Sequence, residues 1–131
     1  SQQGQVMADL RFPREERLKS RSSIALLFSR TSKGAALEGL RLVWTASPEP
    51  LVRGVQVLVA APKKQFKQAT VRNRVKRLLR ESWRLERGDL PMQWLEAGTP
   101  KIIGLIYTGA ANPTLVGMRA SLRGLLDKAK W

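Results

Sequence analysis

The stretch VQVLVAAPKKQFKQATVRNRVKRLLRESWRLE, residues 55 to 86, constrains the fold more than any other part of the chain. A β-branched run ends at Pro62, a short basic connection follows, and a long amphipathic segment begins near Ala69. At about 100° per residue from Arg72, Val71, Val75, Leu78, Leu79 and Leu85 share an arc from about 220° to 340°, with Trp83 at its edge. Lys76, Arg77, Arg80, Arg84 and Arg87 fall on the opposite arc, with Asn73 among them. A helix built this way must lay its apolar stripe on another element. Two apolar runs, VQVLVAA before it and KIIGLIYTG after it, have the length and β-branched content of strands that would form that surface.

The remaining segments extend the same architecture. Ser20 is placed to cap a first helix through Ser23, leading into Ile24, Leu27 and Phe28 at helical spacing, with Gly34 beyond its end. GLRLVWTAS sets Leu40, Leu42 and Trp44 against Arg41, Val43 and Thr45, the alternation of a two-faced strand. Residues 35–37 supply a short strand before it. Pro48 and Pro50 mark a turn, and Pro91 and Pro100 bracket a connection without clear periodicity. A last helix follows Asn112-Pro113, with Asn112 as its cap and Leu115, Met118, Leu122, Leu125 and Leu126 as its buried stripe. The order helix, strands, helix, strand, helix predicts an α/β fold of α+β sandwich type, with helices packed on a small sheet. Residues 12–131 are expected to form a single domain, and the polar residues 1–11 a flexible N-terminal segment.

Charge narrows the partner. The chain of 131 residues carries 24 Lys and Arg against 10 Asp and Glu, a net charge of +14, with 43% hydrophobic residues, enough for a folded core. So basic a domain repels itself, and a polyanion is the natural partner. Between Lys63 and Arg87 there are ten basic residues and only Glu81 and Glu86 to offset them. A solvated helix surface usually alternates signs at i,i+4, whereas like charges at 72, 76, 80 and 84 weaken the isolated helix. Nucleic-acid phosphates compensate directly, by releasing condensed counterions, and arginine adds forked contacts to phosphate. Lys63, Lys64 and Lys67 sit just before the helix, where its dipole also favours an anion. The geometry alone supports nucleic acid, without naming one.

The sequence has no histidine, its acids are scattered, and no Gly-rich phosphate loop is present, so no catalytic residue is assigned. Without cysteine, thiolate metal sites and disulfides are excluded, which suits a reducing, cytoplasmic location. No apolar run approaches the roughly 18 residues of a spanning helix, no signal peptide is visible, and no membrane role is expected.

KKQFKQATVRNRVKRLLRESWRL resembles the signature of the bacterial ribonuclease P protein component family: paired lysines, a basic loop, then Arg-Asn-Arg-x-Lys-Arg-x-x-Arg-Glu. RLKSRSSIALLF resembles that family's upstream segment. The resemblance implies a four-stranded sheet with three helices in αβββαβα order and a left-handed βαβ crossover. It implies a subunit of a ribonucleoprotein that removes the 5′ leader of precursor tRNA, in which the RNA performs the chemistry with Mg2+ held mainly by RNA. The implied partners are the ribonuclease P catalytic RNA and precursor tRNA; no protein partner is inferred. Lys63, Lys64, Arg72, Asn73, Arg74, Lys76, Arg77 and Arg80 match the family's RNA-contacting segment, and Lys67 and Arg84 extend the same basic surface. Ile24, Phe28 and Trp44 match its leader cleft, although Ile24 stands where the family commonly has Phe. An alternative is a general or ribosome-associated RNA-binding protein of the same fold. A helix-based DNA regulator would need a helix before Ala69, where the pattern is that of a strand.

Overall fold

The computed structural model describes residues 14–30 and 32–129. Residues 1–11, expected to be flexible, lie outside the described residues. The described chain starts with a 3-10 turn at Arg14–Glu16, followed by α1 (Arg21–Leu27), β1 (Lys33–Leu37), β2 (Leu40–Ala46) and β3 (Val55–Ala60). It continues with α2 (Ala69–Glu86), α3 (Leu90–Glu96), β4 (Lys101–Tyr107) and α4 (Leu115–Lys128). The four strands form one mixed sheet in the order β1-β2-β4-β3. The β1–β2 and β2–β4 pairs are antiparallel, and β3 runs parallel to β4, the connection between them passing through α2 and α3.

Local chemistry accounts for most boundaries. Ser20 caps α1, its Oγ accepting from the Ser23 amide at 3.4 Å. The β1–β2 hairpin turns through Glu38 and Gly39, both at positive φ (48° and 83°), as a two-residue loop matched to strand twist requires. A side chain at position 39 would also collide with the Gly109 backbone, its Cβ falling 2.7 Å from the Gly109 Cα. The alternation of β2 is as the sequence predicts: Leu40, Leu42 and Trp44 enter the larger core, and Val43 enters a second core on the other face.

That larger core lies between the sheet and the pair α2 and α4, around Val57, Val75, Leu79, Trp83, Ile103, Leu105, Leu122 and Leu125. The smaller one lies under α1, where Leu18, Leu27, Val43 and Ile102 are buried. Gly104 makes that approach possible, since a Cβ there would meet Leu27 Cδ2 at 3.0 Å and Val43 Cγ2 at 2.9 Å. Both faces of β4 are covered, which is why its sequence is apolar almost throughout. β3 is an edge strand: Val55 and Val57 are buried, but Gln56, Leu58, Val59 and Ala60 are only half-covered, so it is not buried on both faces as its composition suggests.

Other expectations need correction. There are four α-helices among the described residues, not three, because residues 90–96 form α3 in the connection that lacks periodicity. Seven residues with two buried positions, Pro91 and Trp94, are too short to show a helical repeat, and Pro91 is tolerated in the first turn. α4 is capped by Thr114, whose Oγ1 accepts from the Gly117 amide at 3.1 Å, rather than by Asn112. Gly34 lies within β1 instead of terminating a helix. The buried arc of α2 is Val75, Leu79, Ser82 and Trp83, rotated by about half a residue step from the wheel estimate. Packed on the sheet beside α4, the helix buries Trp83 completely and leaves Leu85 exposed.

Candidate nucleic-acid interface

The basic surface is built on a loop pinned from beneath. Phe66 is buried and stacks on Tyr107 with ring centroids 5.9 Å apart and planes 7° from parallel. Amides of Gln65 and Phe66 donate to the Pro62 carbonyl at 3.1 and 2.9 Å, closing the turn. With Phe66 as the inward anchor, Lys63, Lys64 and Lys67 are left exposed around it. The loop enters α2 at Gln68, whose side chain makes no capping bond, so the lysines lie beside amide groups at a helix N-terminus.

Two of the signature arginines are already engaged within the protein. Arg72 donates through one terminal nitrogen to the carbonyls of Phe66 (2.8 Å) and Lys67 (3.0 Å), fastening the lysine loop to the first turn of α2. Arg74 donates to the Ala111 carbonyl at 2.7 Å, tying the helix to the loop before α4. Between them Asn73 is exposed, as are Arg74 and Arg77; Arg72, Lys76, Arg80 and Arg84 are half-buried along the flank. The Arg84 Nε–H is buried without a hydrogen-bond partner, an unsatisfied donor on this flank.

Of the two acids that offset this surface in the sequence, Glu86 is engaged elsewhere. Glu86 has only 4% of its side chain exposed and binds Arg119 (2.6 Å) and Arg123 (2.9 Å) of α4. Burial pushes its carboxyl up, but the hydrogen bonds and charges of those arginines prevail and hold it below the ordinary range. Arg87, counted by the wheel in the cationic stripe, instead turns to Glu16 at 3.2 Å. Glu16 is fully buried, also accepting from Arg53 Nε at 2.9 Å and Trp83 Nε1 at 3.2 Å. Burial lowers the Arg87 pKa, the Glu16 charge raises it, and Arg53 and Arg84 lower it further. Glu81 is therefore the one carboxylate of α2 outside these clamps.

The expected cleft residues divide. Ile24 is half-buried against the smaller core, and Phe28, at the C-cap of α1, is 51% exposed. Beyond α1 the sheet is incompletely covered, with Arg41 exposed and Thr45, Gln56, Leu58 and Ile106 half-buried. Trp44 is not on this surface: it is 6% exposed and belongs to the core on the α2 and α4 face. Strand parity puts it with Leu40 and Leu42, on the opposite side from Val43 and α1, so it has no ring face open for stacking there.

Sequence reasoning missed Glu16. A carboxylate beside Glu15 in a polar lead-in looks like any solvated acid, and no local pattern marks one that two distant arginines will enclose. Among the described residues no group of three or more Asp, Glu, His or Cys side chains could hold a metal ion, and none of the helices is long and apolar enough to cross a membrane.

Comparison with known proteins agrees with the arrangement. The family model described as Ribonuclease P matches residues 12–130. The ribonuclease P protein component of Chlorobaculum tepidum is 34% identical over 126 residues, covering 87% of this chain and 79% of that protein. That of Porphyromonas gingivalis is 39% identical over 74 residues, covering 56% of this chain and 53% of that one. Among solved structures, the RNase P protein of Thermotoga maritima superposes with a TM-score of 0.68 at 21% identity, over 88% of this chain and 99% of that one. The Staphylococcus aureus protein gives 0.68 at 20% identity, over 88% and 95%. The structural likeness shows a shared fold; the family match and the sequence relatives show descent, and the chain belongs to the ribonuclease P protein component family.

Proposed function

We propose that this chain acts as the protein subunit of ribonuclease P in tRNA 5′ maturation, docking the α2 surface on the catalytic RNA and presenting the α1 side of the sheet to the precursor leader. The observation that carries this is the uneven use of charge around α2. Lys63, Lys64, Lys67, Arg74 and Arg77 are exposed, while Glu86 and Glu16 are turned inward onto other arginines. A phosphate backbone along this surface relieves repulsion between cations and releases counterions. Asn73 contributes a neutral donor and acceptor among the charges, suited to a ribose hydroxyl or a base edge. Phe28 is an exposed ring beside partly open sheet, and stacking of a single-stranded base on it is worth about 1–3 kcal/mol.

In this reading the RNA subunit performs the cleavage. The protein's exposed side chains here are cationic and donor-rich, the wrong set for a hard divalent cation that needs carboxylate or carbonyl oxygen. Mg2+ would be held by RNA phosphates, and no step is assigned to a protein-bound metal. The protein lowers the repulsion between two RNAs, so less Mg2+ is needed for them to meet. The test mixes the chain with a bacterial ribonuclease P RNA and precursor tRNA at low Mg2+ and follows leader release. Stimulation over RNA alone is expected; equal rates with and without the protein would refute the proposal.

A further inference from the structure

The C-terminal end of α2 opens on a surface unlike the lysine loop at its start. The helix is about 27 Å long, and beyond it the chain turns through Gly88 into α3. Seven large apolar side chains are exposed among the described residues, and three of them, Val52, Met92 and Leu95, line one groove of about 350 Å3. Val52, in the loop between β2 and β3, is 81% exposed, and Met92 of α3 is 58% exposed. Single apolar residues on a surface need no explanation, but a cluster with a polar rim marks a docking surface.

Both walls of the groove are fixed. Gly54, at φ 73°, lets the β2–β3 loop lie against α3, since a Cβ there would fall 2.6 Å from the Pro91 carbonyl oxygen and 2.8 Å from Leu95 Cγ. The Gly54 carbonyl accepts from the Lys101 amide at 2.9 Å, and the Arg87 carbonyl from the Leu90 amide at 3.1 Å. Charge runs opposite to that of the lysine loop. Residues 88–100 contain Asp89 and Glu96 but no lysine or arginine, and residues 47–54 add Glu49 and a single cation, Arg53. Arg53 and Arg87, which also line the groove, share the buried Glu16 carboxylate. On a chain of net charge +14 this face is poorly suited to phosphate, and an anionic membrane is disfavoured for the same reason.

We infer that this groove docks a partner protein through an amphipathic segment, whose aliphatic side chains fill it and whose lysines or arginines face Asp89 and Glu96. The inference goes beyond the ribonuclease P reading and does not rest on it. With the N-terminal end of α2 on RNA, the groove stays open at the other end of the helix.

The probes are two helical peptides with leucines at identical positions, one with lysine and the other with glutamate at every polar position. Each is titrated by fluorescence anisotropy into the full chain as wild type, as Val52→Ser with Met92→Ser, and as Asp89→Asn with Glu96→Gln. Most of the protein repels the lysine peptide, so its binding reports this face. The Val52 and Met92 substitutions should weaken that binding about tenfold or more, through lost apolar burial. The Asp89 and Glu96 substitutions should weaken it about two- to fivefold, a difference that fades at high salt. All four residues are exposed, so the melting temperature should hardly move. The glutamate peptide, drawn to the lysine loop, should be indifferent to the Val52 and Met92 substitutions. A lysine peptide that does not bind, or binds that variant as well as wild type, would overturn the inference. So would a glutamate peptide weakened as much by the same variant, since the groove would then not select a basic segment. Self-association of the wild-type chain that the variant loses would overturn it in favour of a second copy, and adsorption to phosphatidylserine vesicles that the variant loses, in favour of a membrane. Holoenzyme made with the variant should release leader as wild type does; impaired release would give the groove to RNA and overturn it too. A wild type that fails to stimulate leader release defeats the ribonuclease P reading alone, and the peptide titrations still decide this one.

Discussion

The two ends of α2 use the same residue type for opposite purposes. At the N-terminal end, Lys63, Lys64, Lys67, Asn73, Arg74 and Arg77 are exposed with no carboxylate clamp among them. At the C-terminal end, Arg87 is spent on buried Glu16, and Glu86 on Arg119 and Arg123 of α4. One end is left electrostatically unfinished for a ligand; the other is completed within the fold and fixes the helix to its neighbours. The number of arginines along a helix is thus a poor guide to binding, and the positions of the few acids decide which of them are free.

Breaking the completed end should have the largest effect. Glu16→Ala leaves Arg87 and Arg53 without their shared counter-charge and Trp83 without its acceptor, which should destabilise the fold by about 3–5 kcal/mol. Thermal melting would read this as a drop of several degrees or more; a change within a degree would mean the clamp is not structural. At the unfinished end, Lys64→Glu with Arg77→Glu should reduce affinity for ribonuclease P RNA by about two orders of magnitude, through two lost phosphate contacts and new repulsion. Both residues are exposed, so the melting temperature should hardly move. A fall in stability with intact RNA binding would reverse the roles assigned to the two ends.

The smallest effect is expected from pH. The Glu86 carboxyl is held below its ordinary range in the folded protein, so its contribution to stability is complete above the unfolded carboxylate range, near about 4.3. That contribution is lost as pH falls through the lowered folded value. Melting temperature measured from pH 6 downward should therefore decline more steeply in wild type than in Glu86→Gln. Parallel curves would show that the clamp between α2 and α4 does not carry a titrating charge.

Local signals were enough for elements whose chemistry repeats or is punctuated. Ser20 capping α1, the alternation of Leu40, Leu42 and Trp44, and the long amphipathic α2 are all readable from short windows, because backbone period and capping are local properties. α3 was not readable, since barely two turns show no period, and its Trp94 is buried against the larger core. The resemblance carried by Arg-Asn-Arg and its lysine lead-in found the family, yet it could not show that Arg72 and Arg74 each hold a loop carbonyl.

By itself, then, the sequence determined the longer and punctuated elements, the strongly cationic character of α2, a polyanion as partner through its net charge of +14, and the family. Only the tertiary structure decided which charges remain available and which rings are open. Trp44 shows why: parity in β2 puts it opposite Val43, but which side of the sheet receives α2 and α4 depends on contacts between strands and helices far apart in the chain. Glu16 shows the same for charge, because its partners Arg53, Trp83 and Arg87 lie between 37 and 71 positions away and no local period links them. Secondary structure follows the backbone's short-range preferences; burial and ion pairing follow the meeting of distant surfaces.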